Sequence, residues 1–264
     1  MGRIGDKFEA LCGSKEKALI VYLTAGDPSL SVTKKLILGL EKAGVDILEI
    51  GVPFSDPTAD GPLIQMASQR ALKSGTTLEG VLDLVTEVRK VSEIPIVLFG
   101  YFNPIFAYGV KKFAHIARKA GVDGVLVVDL PYEEAKELRI YTDAVGIDFI
   151  SLIAPTTGSE RLTKIAADAT GFLYYISITG ITGTAAPKID NIKTKVNKIR
   201  KITKLPVAVG FGISKPQQAR EIARFADGVV IGSAVVRLID ENKNNRDLVK
   251  IISGYVSGIK KVLR

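Results

Sequence analysis

The sequence of 264 residues contains one cysteine, one histidine, two methionines and no tryptophan. The lone cysteine, Cys12, cannot form a disulfide within the chain. No apolar run approaches the roughly 20 residues that span a bilayer. The N-terminal segment MGRIGDKFEALCGSKEKA mixes charges and lacks an apolar signal segment. These absences predict a cytoplasmic protein without membrane contact.

The chain is basic, with a formal net charge of +8 and a pI near 9.4. Its densest basic cluster lies at 193–204, where Ile192, Val196 and Ile199 recur at helical spacing among the lysines and arginines. This pattern is typical of the solvated face of an amphipathic helix. Because no aromatic residues are interleaved with the basic ones, we expect no nucleic-acid partner.

Short apolar runs alternate with longer amphipathic ones along the chain. The apolar runs are rich in β-branched residues and continuous, as in parallel strands covered on both faces. The eight predicted strands occupy residues 18–23, 46–51, 95–100, 124–129, 148–153, 172–177, 206–210 and 228–232. The predicted helices between them include 32–43, 110–120, 133–145, 160–169, 192–202 and 216–225.

Repeated strand–helix units without a linker predict one (β/α)8 TIM barrel, an α/β domain over residues 1–264. The length agrees, because such barrels have about 250 residues. A doubly wound open sheet is the competing architecture, but nothing resembles its dinucleotide-binding turn. Extra helices are expected at the N-terminus (3–11), after strand 2 (63–73 and 78–91) and after strand 8 (a short helix and then 246–262).

Two glycine-containing strand ends predict a phosphate site, because active sites of such barrels lie where the strands end. The seventh strand ends in GFGIS at 210–214, and the eighth ends in GSA at 232–234, which leads into a short helix. Glycines leave backbone N–H groups free to face an anion, and a helix N-terminus adds its dipole. The alternative is that these glycines only relieve crowding at tight turns.

The segment LEIGVPFSDPTADGP at 48–62 contains two candidate proton-transfer groups. Glu49 lies among apolar residues of the second strand, where partial desolvation should raise its pKa toward neutrality. Asp60 lies in the following loop, where a carboxylate should stay ionised. The structural alternatives are an ion pair inside the barrel for Glu49 and an N-cap of the next helix for Asp60.

The sixth strand leads into TGITGTAAP at 179–187, a loop of glycines and other small residues. Such a composition is typical of a mobile lid that closes over substrate, and we assign the lid to 178–190. An ordinary surface loop is the alternative.

Lysine and histidine are missing from the predicted strands. The lack of a strand lysine disfavours a Schiff-base aldolase. The only histidine, His115, lies in the predicted helix FAHIARKAG, away from the strand ends. A histidine-rich metal site, a serine triad and a histidine-dependent sugar-phosphate isomerase are therefore disfavoured, and no metal is expected. Carboxylates remain for the proton chemistry.

The segment at 48–62 resembles the signature of the tryptophan synthase α subunit family. The resemblance continues in family order through LTAGDPS at 23–29, GYFNPIFAYG at 100–109, VVDLPYEE at 127–134, SITGITG at 177–183, GFGIS at 210–214 and IGSAVV at 231–236. It implies retro-aldol cleavage of indole-3-glycerol phosphate into indole and D-glyceraldehyde 3-phosphate, a carbon–carbon lyase step of L-tryptophan biosynthesis. Indole C3 must then gain a proton, and the side-chain hydroxyl must lose one.

The resemblance also implies roles for individual residues. Glu49 matches the general acid/base, and Asp60 matches the carboxylate that binds the indole N–H. Thr182 and Gly183 match the closing lid. The other substrate-site matches are Tyr174, which contacts the substrate, Gly212, Gly232 and Ser233 at the phosphate, and Tyr22, Tyr101, Leu126, Ile153 and Phe211 in the apolar wall around the indole. Thr58 and Tyr22 depart from the larger apolar residue and the phenylalanine that are common at their positions.

The family works as a complex with a β subunit that uses pyridoxal phosphate. The resemblance therefore implies an α2β2 heterotetramer that passes indole between subunits, with no cofactor in this chain. The positions that match the partner-facing ones are Pro53, Phe54, Asp56, Asn103 and Pro104. Phe102, Ile105, Phe106 and Tyr108 add apolar surface nearby, which fits either an interface or local packing of the third loop.

Two rival interpretations of the chain are another phosphate-binding barrel, such as a sugar-phosphate epimerase or isomerase, and a non-catalytic allosteric partner. The first needs metal-binding histidines or a strand lysine, which the sequence lacks. The second is disfavoured because both Glu49 and Asp60 are present.

Overall fold

A ring of parallel strands forms the centre of the computed structural model, which describes residues 2–176, 189–210 and 212–264. Nearly every residue of these strands is buried, as the continuous apolar runs predict. The strands are β1 (Ala18–Thr24), β2 (Ile47–Gly51), β3 (Ile96–Gly100), β4 (Gly124–Val127), β5 (Asp148–Phe149), β6 (Ser151–Ile153), β7 (Leu173–Ile176), β8 (Val207–Gly210) and β9 (Gly228–Ile231).

All strand pairs are parallel, in the order β5-β4-β3-β2-β1-β9-β8-β7-β6. The fifth predicted strand, 148–153, is divided at Ile150, because hydrogen bonding changes partner there. Strand β5 pairs with β4, β6 pairs with β7, and the Ile150 N–H donates to the Val125 carbonyl at 2.9 Å. One short segment thus joins the two ends of the order, and the nearly closed barrel confirms the predicted (β/α)8 class.

Helices surround the barrel, and none in the described part of the chain is long and apolar enough to cross a membrane. Those at the N-terminus, after β2 and after β9 lie where extra helices are expected. The helices are α1 (Arg3–Gly13), α2 (Leu30–Lys42), α3 (Pro62–Lys73), α4 (Leu78–Arg89), α5 (Phe102–Tyr108), α6 (Val110–Ala120), α7 (Lys136–Thr142), α8 (Ser159–Asp168), α9 (Ile189–Arg200), α10 (Pro216–Ala223), α11 (Ser233–Asn242) and α12 (Leu248–Lys260).

Helix α5 is the element that the sequence pattern missed. It has seven residues, with Pro104 in its first turn, where a proline is tolerated. No side chain caps it locally; instead, the Phe102 N–H donates to Asp129 Oδ1 at 2.8 Å. Asp129 follows the next strand, so this N-terminal bond exists only in the folded protein.

The core has two layers, one between the strands and the outer helices and one inside the barrel. Helix α1 closes the bottom of the inner layer with Ile4, Phe8 and Leu11, as expected for the segment 3–11. The Phe8 ring packs against Phe172 with 5.7 Å between ring centroids. The opposite end, where the strands end, is left open for a site.

A buried ion pair joins the last helix to the bottom of the barrel. Lys260 Nζ lies 2.8 Å from Asp46 Oδ2 and 3.2 Å from Glu16 Oε2. The same Asp46 oxygen accepts the Leu19 N–H at 2.8 Å. The Lys260 and Asp46 side chains are only 4% and 8% exposed, so neither charge is solvated on its own.

We expect Lys260→Met to destabilise the fold by about 3–5 kcal/mol, because it leaves the Asp46 carboxylate buried without a counter-charge. The matched control is Lys261→Met, which removes an exposed lysine next to it. Chemical denaturation monitored by circular dichroism would measure both free energies of unfolding. Equal stability of the two variants would contradict the assignment.

Candidate active site

A cavity of about 1030 Å³ opens where the barrel strands end. Its lining includes both predicted proton-transfer groups, Glu49 and Asp60, and residues from both predicted phosphate loops. Residues more than 180 positions apart along the chain therefore meet at one site. The predicted site residues that line it are Tyr22, Glu49, Asp60, Tyr174, Gly212, Gly232 and Ser233.

Glu49 faces the barrel interior from β2, between Tyr22 on β1 and Val97 on β3. It is 1% exposed, and Oε1 has no hydrogen-bond partner among the described residues. The ion pair offered as the structural alternative is not observed in this part of the chain. Burial without compensation raises the pKa of Glu49 from 4.5 to about 8, so the carboxyl holds its proton at neutral pH.

Asp60 lies in the loop before α3, where Tyr101 donates its hydroxyl to Asp60 Oδ2 at 3.0 Å. The N-cap alternative is not realised, because Gly61 caps α3 without a side-chain bond. Burial raises the pKa of Asp60 to about 6, and the bond from Tyr101 opposes that rise. The loop position predicts an ionised carboxylate; with this pKa the Asp60 carboxyl is mostly ionised at neutral pH, but closer to protonation than that prediction implies.

The loop around Asp60 is fixed by two further bonds. The Ala59 N–H donates to the Tyr101 hydroxyl at 3.0 Å. Gln65, in the first turns of α3, donates from Nε2 to the Asp60 carbonyl at 2.9 Å. Tyr101 thus contacts the Asp60 side chain and the Ala59 backbone rather than lining the cavity itself, which corrects its predicted place in the wall.

The candidate phosphate residues lie at the start of α11 and in the loop between β8 and α10. Gly232 caps α11, whose first residue is Ser233, and both face the cavity. Gly212 has a φ of +59°, a left-handed conformation that glycine adopts easily. These N–H groups and the helix dipole suit an anion.

Two strand-end glycines make room for aromatic side chains. A Cβ at Gly51 would lie 2.2 Å from the Tyr22 hydroxyl, and a Cβ at Gly210 would lie 2.2 Å from the Tyr174 hydroxyl. Gly210 therefore fits the alternative interpretation, in which a glycine at this strand end relieves crowding. The Tyr22 ring meets Phe99 edge-on, with centroids 5.1 Å apart. Phe99 lines the cavity and was missed; its position just before the strand-end Gly100 is the available signal.

Two further predicted wall residues, Ile153 and Leu126, do not line the cavity. Ile153 is fully buried in the layer between strands and helices, whereas Leu152 packs inside the barrel and lines the cavity. Side chains alternate across a strand, so an assignment shifted by one residue moves the side chain to the other face. Leu126 faces inward but below the cavity, and Val128, two residues later, lines it.

Part of the predicted site lies outside the described residues. Thr182, Gly183 and Phe211 belong to this part, as does nearly all of the predicted lid at 178–190. His115 is exposed on α6, as expected for a residue away from the strand ends. No three His, Cys, Asp or Glu side chains in the described ranges are arranged to hold a metal ion.

The residues predicted to face a partner lie beside this site. Asp56 and Asn103 are exposed, Phe54 and Pro104 are half-buried, and Pro53 is buried. The Phe54 ring packs on Tyr101 with 5.2 Å between centroids, so this surface contacts the Asp60 hydrogen-bond network. Phe106 of α5 is 62% exposed nearby.

Comparisons with known proteins agree with this geometry. A family model described as tryptophan synthase alpha chain matches residues 8–262. A tryptophan synthase alpha chain from Citrifermentans bemidjiense is 52% identical over 260 residues, covering 98% of this chain and 97% of the relative. Tryptophan synthase subunit alpha from Legionella pneumophila is 39% identical with a TM-score of 0.93, covering 100% and 98%. A tryptophan synthase complex from Pyrococcus furiosus gives 39% identity and a TM-score of 0.84, covering 92% and 98%.

The buried Glu49 should make folding stability depend on pH. Its pKa is about 8 when folded and near 4.5 when exposed, so its contribution is fully present below about 4.5 and is lost as the pH rises through about 8. We expect Glu49→Gln to remove this loss, so that the wild type weakens by a few kcal/mol relative to the variant between pH 4 and 9. Urea unfolding across this range would measure it, with the exposed Glu9→Gln as control.

Proposed function

We propose that this chain, which belongs to the tryptophan synthase alpha chain family, cleaves indole-3-glycerol phosphate into indole and D-glyceraldehyde 3-phosphate. One observation carries the proposal: a protonated Glu49, whose Oε1 has no hydrogen-bond partner in the described part of the chain, shares a cavity with Asp60 and with the glycine-capped N-terminus of α11. The proposed cleavage of a glycerol phosphate that carries an indole ring uses all three: a proton donor, an anion for the ring nitrogen and a site for the phosphate. We also propose that residues 1–264 act as one barrel domain in the cytoplasm.

Glu49 is suited to move both protons of the reaction. With a pKa near 8, the carboxyl can donate its proton to indole C3 and leave a carboxylate. That carboxylate then takes the proton of the side-chain hydroxyl. The O–H electrons form the aldehyde carbonyl, the carbon–carbon bond breaks, and its electron pair returns to the indole ring. No net proton is consumed.

Asp60 is suited to stabilise the cationic ring. Protonation at C3 leaves positive charge on the ring nitrogen, and an ionised Asp60 accepts the N–H and offsets that charge. The hydroxyl of Tyr101 holds one oxygen of Asp60, so the carboxylate is oriented before substrate binds. The unequal pKa values of Glu49 and Asp60 separate an acid from an anion in one cavity.

The remaining roles concern binding. Gly212, Gly232 and Ser233 would hold the phosphate, and Tyr22, Tyr174, Phe99 and Leu152 would enclose the flat indole ring. Thr182, Gly183 and Phe211 keep the lid and wall roles that the family resemblance implies. Substrate binding needs neither a metal nor another cofactor in this chain.

A β subunit is the proposed partner, in an α2β2 assembly in which pyridoxal phosphate belongs to the β subunit. Support comes from a structural relative that is a tryptophan synthase complex from Pyrococcus furiosus. An exposed surface is formed by Asp56, Asn103 and Phe106. Beside it, the Phe54 ring packs on Tyr101, whose hydroxyl donates to Asp60, so a partner bound here would lie next to the Asp60 hydrogen bond.

The purified chain should release indole from indole-3-glycerol phosphate in the presence of EDTA and without pyridoxal phosphate. Glu49→Gln should lower turnover by about 100-fold or more, because the amide cannot transfer protons, while substrate binding is retained. A coupled assay for glyceraldehyde 3-phosphate measures turnover, and calorimetry measures binding. Near-normal turnover of the variant would remove Glu49 from this role.

Adding the matching β subunit should accelerate cleavage by stabilising the closed loops. Phe106→Ala should weaken that activation and the affinity between the subunits. It removes an apolar side chain, 62% exposed in this chain alone, that the β subunit would cover. The control is Ile140→Ala, which shortens an equally apolar side chain, 59% exposed, on α7. If the two variants titrate alike, the assigned interface is wrong.

A further inference from the structure

Two helices that start at the cavity pack side by side. Helix α3 begins just after Asp60, and α11 begins at Ser233. Ile64 and Ala67 of α3 share a small apolar cluster with Val236 of α11. The helices run in parallel, because positions further along α3 meet positions further along α11.

Arg70 forms the polar end of this contact. Its Nε and Nη2 donate to both oxygens of the buried Asp27, at 2.8 and 2.7 Å. Its Nη1 lies 3.2 Å from Asp240 Oδ1, two turns along α11 from Ser233. One guanidinium on α3 therefore contacts both the loop after β1, through Asp27, and α11, through Asp240. A lysine ammonium lacks the planar fork that this geometry needs.

We propose that Arg70 and Asp240 are positioning residues that couple phosphate binding at α11 to the placement of Asp60. The route runs from Ser233 along α11 to Asp240, across to Arg70, and along α3 to Gln65. The Gln65 amide bonds the Asp60 carbonyl at 2.9 Å and the Pro57 carbonyl at 3.3 Å. A phosphate that fixes α11 thereby fixes the loop whose carboxylate receives the indole N–H.

This inference rests on the proposed function, since it assumes phosphate at α11 and indole at Asp60. The coupling role proposed for Arg70 and Asp240 differs from a purely structural role in one respect. A structural ion pair would change stability alone, whereas a coupling pair changes how strongly one ligand favours the other.

The test measures indole affinity with and without saturating glycerol 3-phosphate, the phosphate-bearing fragment of the proposed substrate. The chain has no tryptophan, so indole fluorescence is read against tyrosine alone. We expect glycerol 3-phosphate to tighten indole binding to the wild type by about fivefold or more. Asp240→Asn should reduce this factor by about two- to fivefold, the range for a partly exposed ion pair, with little change in indole affinity alone.

Matched variants separate coupling from charge. Lys243, the C-cap of α11, pairs with Asp240 at 2.8 Å, so this ion pair lies within α11 and does not join it to α3. Lys243→Gln should therefore keep the wild-type factor. Asp240→Glu, which keeps the charge, should retain most of it. If Asp240→Asn fails to fold, Arg70→Lys takes its place with the same expectation.

Three outcomes would overturn the inference: no coupling in the wild type, an unchanged factor in Asp240→Asn, or an equal loss in Lys243→Gln. Failure of the wild type to cleave indole-3-glycerol phosphate would instead reject the proposed function, so the two failures are distinguishable.

Discussion

The pairing of β1 with both β2 and β9 is the constraint on which the site depends. On one side Tyr22 lies opposite Glu49, and on the other Val21 lies opposite Ile231, just before Gly232. The first and last strands of the chain therefore bring the strand that bears Glu49 and the candidate phosphate loop within one barrel mouth. Without the pairing of β1 with β9, these elements would lie at opposite edges of the sheet.

Burial inside that mouth sets the chemistry of the two carboxyls. Glu49 is enclosed by strands whose backbone groups are used in the sheet, so Oε1 finds no partner among the described residues and the proton is retained. Asp60 is also buried, but the Tyr101 hydroxyl stabilises its charged form. The same cavity thus keeps one carboxyl mostly protonated and the other mostly ionised.

The buried site lowers the stability of the fold, and contacts elsewhere in the barrel offset that loss. The buried Glu49 carboxyl weakens the fold once it ionises, whereas the Lys260–Asp46 pair at the opposite end fixes the last helix to the start of β2. The candidate active site and this stabilising ion pair therefore lie at opposite ends of the barrel. Arg70, beside the site, contributes to both through Asp27 and Asp240.

The sequence determined the barrel class, the strand positions and the pair Glu49 and Asp60, because apolar periodicity and strand-end position are local features. It could not show helix α5, whose N-terminal bond comes from Asp129 in another loop. It also placed a wall residue at Ile153 rather than Leu152, since the face on which a short strand residue lies depends on its neighbours. The raised pKa of Asp60, the Tyr101 bond and the Arg70 contacts were decided by the tertiary structure alone. Desolvation and long-range hydrogen bonds exist only once distant strands and helices have packed together.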